Sequence, residues 1–526
     1  TVSNGNLDFS AAGTASNVFS TIPFTGGKFY FEVSFASVTA ASWGIATKDA
    51  SLTANIGAGG FANFWGFYCN PGANYVRNAT NPWNGGTITT SSIGQIAVDA
   101  TNTASVKMWI GVDNVWYNST GGTTGNPGAG TNATETLTYN VDFFPFFGAG
   151  NASPSWSVNF GQRPFAYTAP SGFKALCTQN LPAAVVTKPN TVFDVVTYTG
   201  NSGTQILPNA NSTPTSLNFS PGFLWIKTRS VGYSHVLTDK VRGDGKILFS
   251  NATAIEETTN RTALGTNNFT LIDDGSELVN HSPITYVGWA WDAGTSTVSN
   301  PDGSITSQVR ANATAGFSVI DFTCQTSGNG TVGHGLGVAP EFFIYKIRNS
   351  ASAWTVYHKS IGNLKRLTLN TTDAQSADNS SFFNSTSPSS TLITLGSAFA
   401  GNGSSIVYAF APVVGYNSFG SYTGNGSADG PFVYTGFRPR WILLKQSSSS
   451  GENWRVLDTA RSTYNPADNR LLPNSSAAEA IGVPNELDAL SNGFKFRATD
   501  GASNGSGATY IYAAFAEAPI NYSRAR

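Results

Sequence analysis

The chain has 526 residues, and only 11% of them are Asp, Glu, Lys or Arg, less than half of the roughly 25% usual share. The 29 basic and 30 acidic residues leave a formal charge of −1, and no basic patch of the kind a nucleic-acid binder is expected to present to phosphates appears, so no nucleic-acid partner is expected. Long helices need a charged face against water, so with 56 Gly and 13% aromatics the solvated faces must be hydroxyls and amides, the chemistry of short strands and tight turns.

An all-β chain is therefore expected. No apolar run approaches the roughly 18 residues of a membrane span, so a soluble chain without membrane insertion is expected. The text opens at Thr1 on strand-like residues with neither a charged n-region nor an apolar h-region. The absent initiator Met leaves processing and a missing upstream part both open. Cys69, Cys177 and Cys324 are odd in number and far apart, which fits buried free thiols better than a disulfide framework or a metal cluster.

In chain order, the first strand-like runs are KFYFEVSF (28–35), WGIA (43–46), IGQIAVD (93–99), VKMWI (106–110) and VWY (115–117), separated by Gly, Ser and Thr turns. FFPFFG (143–148), VNFG (158–161) and PSGF (170–173) close the stretch. Strands at short regular spacing point to a two-sheet antiparallel sandwich over residues 1–177, with Phe31, Trp109 and Phe160 buried between the sheets. The order of these runs resembles a SPRY domain: the opening aromatic Phe-Glu-Val strand, the Gly-Ile-Ala strand, the Phe-x-Pro segment, and Val-Asn-Phe-Gly before a Pro-x-Gly-Phe close. The resemblance implies a sandwich that presents loops to a partner and does not catalyse. One such loop runs from Asn63-Phe64-Trp65 through Tyr75 to Asn81-Pro82-Trp83. Trp65, Tyr75 and Trp83 are its candidate ligand contacts, because aromatic faces beside amides suit a sugar surface. That the two tryptophans simply close the ends of the sandwich is the equal alternative.

Residues 178–192, with two prolines and no apolar period, read as a linker. The text then repeats. FDVVTYTG (193–200), FSVIDFT (317–323) and FGSYTG (419–424) open three stretches; FLWIK (223–227), FFIYK (342–346) and WILLK (441–445) follow; Asp239, His358 and Asp458 come next; and WAW (289–291), YAF (408–410) and AAF (513–515) close them. Three related β units of about 100 residues are expected at 193–316, 317–416 and 417–526, with Trp291, Phe410 and Phe515 as equivalent core residues. Lys227, Lys346 and Lys445 are the repeat-equivalent polar positions. They read either as contacts to an anionic glycan or as stems covering a sheet edge, and the second is the expectation.

With FKALCTQNLP (173–182), GHGLGVAP (333–340) and GPFVYTGF (430–437), the whole arrangement resembles tail-associated structural proteins of environmental tailed phages. The resemblance implies an extracellular virion protein of the tail, a fibre, spike or appendage that attaches to a host receptor or glycan. Other virion proteins are its expected partners, and a homo-oligomer is expected, with a trimer favoured. A capsid decoration or purely architectural protein is the alternative, and a polysaccharide depolymerase stands behind it.

Enzyme spellings do not hold up in context. Gly328–Gly333 reads GxGxxG, but GHGLGVAP follows it where a dinucleotide site needs a helix. Gly501-Ala502-Ser503-Asn504-Gly505 reads GxSxG, but Ser503 is expected in a loop ahead of a strand. The four histidines His235, His281, His334 and His358 show no ligand spacing, and Asp273-Asp274-Gly275-Ser276-Glu277 reads as a turn and not a calcium loop. No catalytic residue, metal or cofactor is expected.

Overall fold

The computed structural model describes residues 2–3, 7–11, 16–48, 50, 63–70, 73–76, 88–102, 104–138, 142–150, 152–482 and 486–520. Among them the fold is all-β: helices are confined to pieces of three or four residues, and none is long and apolar enough to cross a membrane. The chain forms two compact units, Thr1–Ala183 and Ala184–Arg526.

The N-terminal unit holds two antiparallel sheets. Lys28–Ser37 lies between Ser155–Asn159 and Ile93–Asp99 in a nine-stranded sheet, which continues through Val106–Val112. The second sheet runs Ser16–Phe19, Phe143–Ala149, Ala41–Thr47, Phe64–Asn70, Ala73–Val76. Side-chain alternation along Lys28–Ser37 sends Phe31 and Phe35 inward. Phe31 meets Phe147 at 5.9 Å, and Phe35 meets Trp43 at 4.8 Å. Trp43 in turn lies over Gly94 so closely that a Cβ there would stand 2.7 Å from the indole.

The opposite face of Lys28–Ser37 is buried too, which the sequence reading missed. Glu32 accepts the Tyr30 hydroxyl at 2.8 Å and the amides of Ala166 and Tyr167 at 2.7 and 2.9 Å. This fastens the chain after Asn159 across the sheet, with Phe165 edge-on to Tyr30 at 4.8 Å. Trp109 pairs opposite Ala97, and Ala97 opposite Tyr30. It therefore lies on this outer face, under Phe173 at 6.0 Å, and not between the sheets as expected. Phe160 is only half-buried, although its ring does reach Phe31 at 5.3 Å.

In the C-terminal unit one strand order occurs three times: opening, closing, lysine, short. The opening strands are Phe193–Thr199, Phe317–Thr323 and Asn417–Thr423, and the closing strands Thr285–Trp291, Ser404–Phe410 and Thr509–Pro519. The lysine strands are Phe223–Thr228, Phe342–Ile347 and Phe437–Gln446; the short strands are Val236–Asp239, Thr355–His358 and Arg455–Asp458. Registers agree: Trp291 pairs with Phe193 and Phe223, Phe410 with Phe317 and Phe342, and Phe515 with Asn417 and Trp441. Asn417, not Phe419, thus matches Phe193 and Phe317. The two-residue offset leaves Phe419 on the same face of the strand, because the side-chain period is two.

Each four-stranded set is buried on both faces, which is why its strands read as continuous apolar runs. In the first segment Val196, Leu224 and Tyr286 pack with Leu207, Phe269 and Leu271 of a small second sheet. Val195, Trp225 and Trp289 turn the other way, into a core shared by all three segments. At its centre Trp291, Phe410 and Phe515 contact one another, with centroids 6.3, 5.5 and 5.7 Å apart. The segments are therefore not independent beads. The expected linker joins this packing as well, since Val186 and Val192 are buried in the same core.

Candidate functional site

Of the loop candidates, Trp65 lies in strand Phe64–Asn70, is 3% exposed and packs edge-on against Phe143 at 5.5 Å. It closes the sandwich and has no face to offer a ligand, because its ring fills core volume. Trp65→Ala is expected to lower the stability of this unit by about 3 kcal/mol, read from the shift of its urea midpoint. Tyr75 is placed in strand Ala73–Val76 with its Cα opposite Tyr68, and Trp83 lies outside the described residues.

The three lysines are buried, each 0% exposed, and each reaches the neighbouring segment. Lys346 Nζ donates to the Thr253 carbonyl of the first segment at 3.2 Å, Lys445 to Thr372 of the second at 3.2 Å, and Lys227 to Ser476 of the third at 3.3 Å. A second acceptor stands close by in each case: Ser352 O at 3.0 Å, Glu452 O at 2.8 Å and Thr228 O at 3.0 Å. Both readings of these lysines, as glycan contacts or as stems over a sheet edge, are thereby corrected. Their ammonium groups clasp one segment to the next through carbonyls that no sequence pattern reveals. Burial pushes Lys227 down to about 7 and the other two down to about 8.

A second clasp uses the short strands, and its chemistry changes with its partner. Asp239 accepts the Tyr408 hydroxyl at 2.9 Å, and Asp458 accepts the Trp289 indole N–H at 3.0 Å. The third closing strand has Ala513 at this position, in register with Leu443 as Trp289 is with Trp225. It offers no side-chain donor, so the residue facing it is a donor: His358 Nε2–H reaches the Tyr512 carbonyl at 3.0 Å, while its Nδ1 accepts the Ser360 amide at 3.1 Å. Burial pushes the His358 ring down to about 4, against the pull of the Tyr512 carbonyl.

An unfolded histidine binds its proton near pH 6.5, a proton the folded ring refuses, so this contribution to stability is lost from about pH 6.5 down to about pH 4. Burial lowers His235 and His334 in the same direction. Urea midpoints between pH 7 and pH 4.5 should fall, and should fall less in His358→Gln, whose neutral amide does not titrate. The parent-minus-variant difference separates His358 from Asp194, Asp292 and Asp321, which burial raises and which act oppositely.

Outside these clasps, two of the three junctions carry a buried ionic network. Between the first and second segments Glu256 receives Arg348 at 2.8 and 2.9 Å and Arg242 at 3.3 Å, and Arg348 also reaches Asp321 at 2.5 Å. Between the third and first, Glu479 receives Arg461 at 2.6 Å and Arg229 at 2.8 Å. Arg242 and Arg461 also bind Asp239 and Asp458 at 2.5 and 2.6 Å. In Asp458 burial opposes ionisation, but Arg461 wins and holds the carboxyl below its ordinary value.

The junction between the second and third segments has the same backbone and none of these charges. The Gln375 amide donates to the Ser447 carbonyl at 2.9 Å, just as Glu256 does to Arg348 and Glu479 to Arg229 at 2.8 Å. Ile361 stands where Arg242 and Arg461 stand, three residues after the short-strand Asp or His. Ser447 replaces Arg348, and Ser421, in register opposite Ile511 as Asp321 is opposite Ile406, replaces the acid. The shortened side chains leave a cleft of roughly 170 Å³.

The enzyme spellings are absorbed by structure. Gly330–Gly333 is a strand paired with Leu392–Leu395. Gly501–Asn504 is one helical turn, not the expected loop, and its Ser503 is fully buried, with Arg455 at 3.4 Å from the hydroxyl. Asp273 binds His281 at 2.8 Å, and Asp274 pairs with Arg261.

Residues 188–519 match the model of a family described as a domain of unknown function, DUF7483. Comparison with curated protein sequences gives no match. Among solved structures, a human SPRY domain is similar at 12% identity and a TM-score of 0.22, covering 29% of this chain and 89% of that one.

Proposed function

Given that the chain belongs to the DUF7483 family, we propose that it is a non-enzymatic structural and adhesive protein of a tailed-phage virion, a tail fibre, spike or appendage that engages the host surface. The observation that carries this reading is the use of charge in the C-terminal unit. Its repeated lysines, its short-strand Asp and His residues, and Arg229, Arg242, Arg348 and Arg461 are tied into clasps between segments. What remains for contact is a polar loop surface on a locked scaffold, the arrangement in which loops vary without unfolding the protein. Tyr464, 78% exposed on such a loop, is an aromatic face that the sequence reading passed over.

Two measurements test the reading. Antibody against the purified protein should label the tails of intact virions; labelling of heads would favour a capsid decoration. The purified protein should adsorb to host cells nearly equally at low and high ionic strength, because a formal charge of −1 leaves little net field for salt to screen. Release of sugar from host polysaccharide by the protein would overturn the non-enzymatic reading.

A further inference from the structure

We infer that the cleft between the second and third segments is a binding site for one neutral sugar ring. The two sister junctions show what belongs structurally at this place: an arginine from each side closed on a glutamate, half-buried at Glu256 and buried at Glu479. Here the backbone contact is kept, Ile361, Ser421 and Ser447 stand in place of longer charged side chains and Gln375 in place of the equally long glutamate, so the space comes from side-chain choice and not from separated strands. A junction that only had to hold could be filled like the others, where Arg348 and Arg229 occupy the place of Ser447.

The lining dictates the ligand. The Gln375 carboxamide and the Ser421 hydroxyl have no hydrogen-bond partner among the described residues, and both face the cleft. Together with the Thr509 and Ser360 hydroxyls at its exposed rim, they offer neutral groups that donate and accept. Ile361 and Ile511 form an apolar wall, suited to ring C–H groups. The one charged group of the lining, Lys365, is about one-third exposed and stands 3.5 Å from Asp378, so solvent screens it and the groups inside the cleft are neutral. The volume, below the roughly 300 Å³ at which drug-sized pockets begin, admits a single ring. A hexose, every hydroxyl of which donates and accepts, matches this set. That the ring would come from a host-surface glycan rests on the attachment reading above; the cleft chemistry does not.

The experiment uses the full chain with D-glucose, D-galactose, D-mannose and N-acetyl-D-glucosamine, and with D-glucuronate and inorganic phosphate as charged probes, each titrated by ligand-observed NMR. The variant Gln375→Glu/Ser447→Arg rebuilds the sister ion pair and fills the cleft. Because two junctions already hold that pair on the same backbone, it should melt at or above the parent temperature. The expected result is a Kd on the order of 1 mM for at least one neutral sugar, weakened about tenfold or more in the variant. No binding of any neutral sugar, tighter binding of a charged probe, or equal binding by a folded variant would each overturn the inference. Sugar binding at the cleft without adsorption to cells sinks the attachment reading alone, and adsorption without sugar binding sinks the cleft alone.

Discussion

Trp291→Ala is expected to destabilise the C-terminal unit by about 3–5 kcal/mol, and Phe410→Ala and Phe515→Ala to do the same. Trp291 is 1% exposed and meets aromatic rings from all three segments: Phe193 at 4.7 Å, Phe317 at 6.4 Å, Phe410 at 6.3 Å, Trp441 at 5.5 Å and Phe515 at 5.7 Å. Its walls belong to sheets that are packed on their other faces as well, so they have little freedom to collapse into the void. Urea unfolding gives the measurement, with an unchanged m-value showing that stability changed and the surface exposed on unfolding did not. Trp291→Phe should be far milder. The indole N–H has no partner among the described residues, and removing an unsatisfied buried donor offsets about 1–3 kcal/mol of the lost packing. A midpoint for Trp291→Ala within about 1 kcal/mol of the parent would show that the three closing aromatics are not the centre of one core.

The hub was legible because its residues announce themselves by repetition. Phe223-Leu224-Trp225-Ile226-Lys227 and its two counterparts share a strand pattern, and Trp291, Phe410 and Phe515 end the matching closing strands. Their meeting at one point was not legible, since a repeat gives equivalence but not arrangement. The lysines misled for a definite physical reason. A lysine after an apolar run is normally placed in solvent because an unpaired buried ammonium is costly. What offsets part of that cost here is a set of backbone carbonyls, at Thr253, Thr372 and Ser476, and main-chain acceptors leave no trace in composition.

Trp109 misled similarly. VKMWI reads as one face of a sandwich strand, yet its second face is roofed by a segment that Glu32 captures through two amides. His358 could be seen as the odd member of an Asp–His–Asp series, but its meaning required Ala513 opposite it. The cleft was invisible. Ile361, Gln375, Ser421 and Ser447 are unremarked residues until the register sets them against arginines and acids.

Arg461→Ala is expected to cost about 3–5 kcal/mol, because it takes from buried Asp458 its cation and leaves buried Glu479 with Arg229 alone. Asp458 and Glu479 have side chains 0% and 1% exposed, and Arg461 itself, at 0%, binds both along with the Val456 carbonyl. The cost measures broken pairing and not the net worth of the network, and the protein contains the control that separates the two. The junction between the second and third segments holds the same backbone contact without this arginine–carboxylate network. Transplanting its chemistry through Arg461→Ile, Glu479→Gln and Arg229→Ser, with Asp458→Asn to keep an acceptor for the Trp289 indole, removes every stranded charge. The quadruple variant should therefore lose less stability in urea than Arg461→Ala alone. This is the non-additivity expected when residues act as one network. If the quadruple variant loses the sum of the single costs, the ionic junctions stabilise the unit outright. The neutral junction would then be the weakest of the three, and its open cleft would carry a cost in stability as well as a place for a ligand.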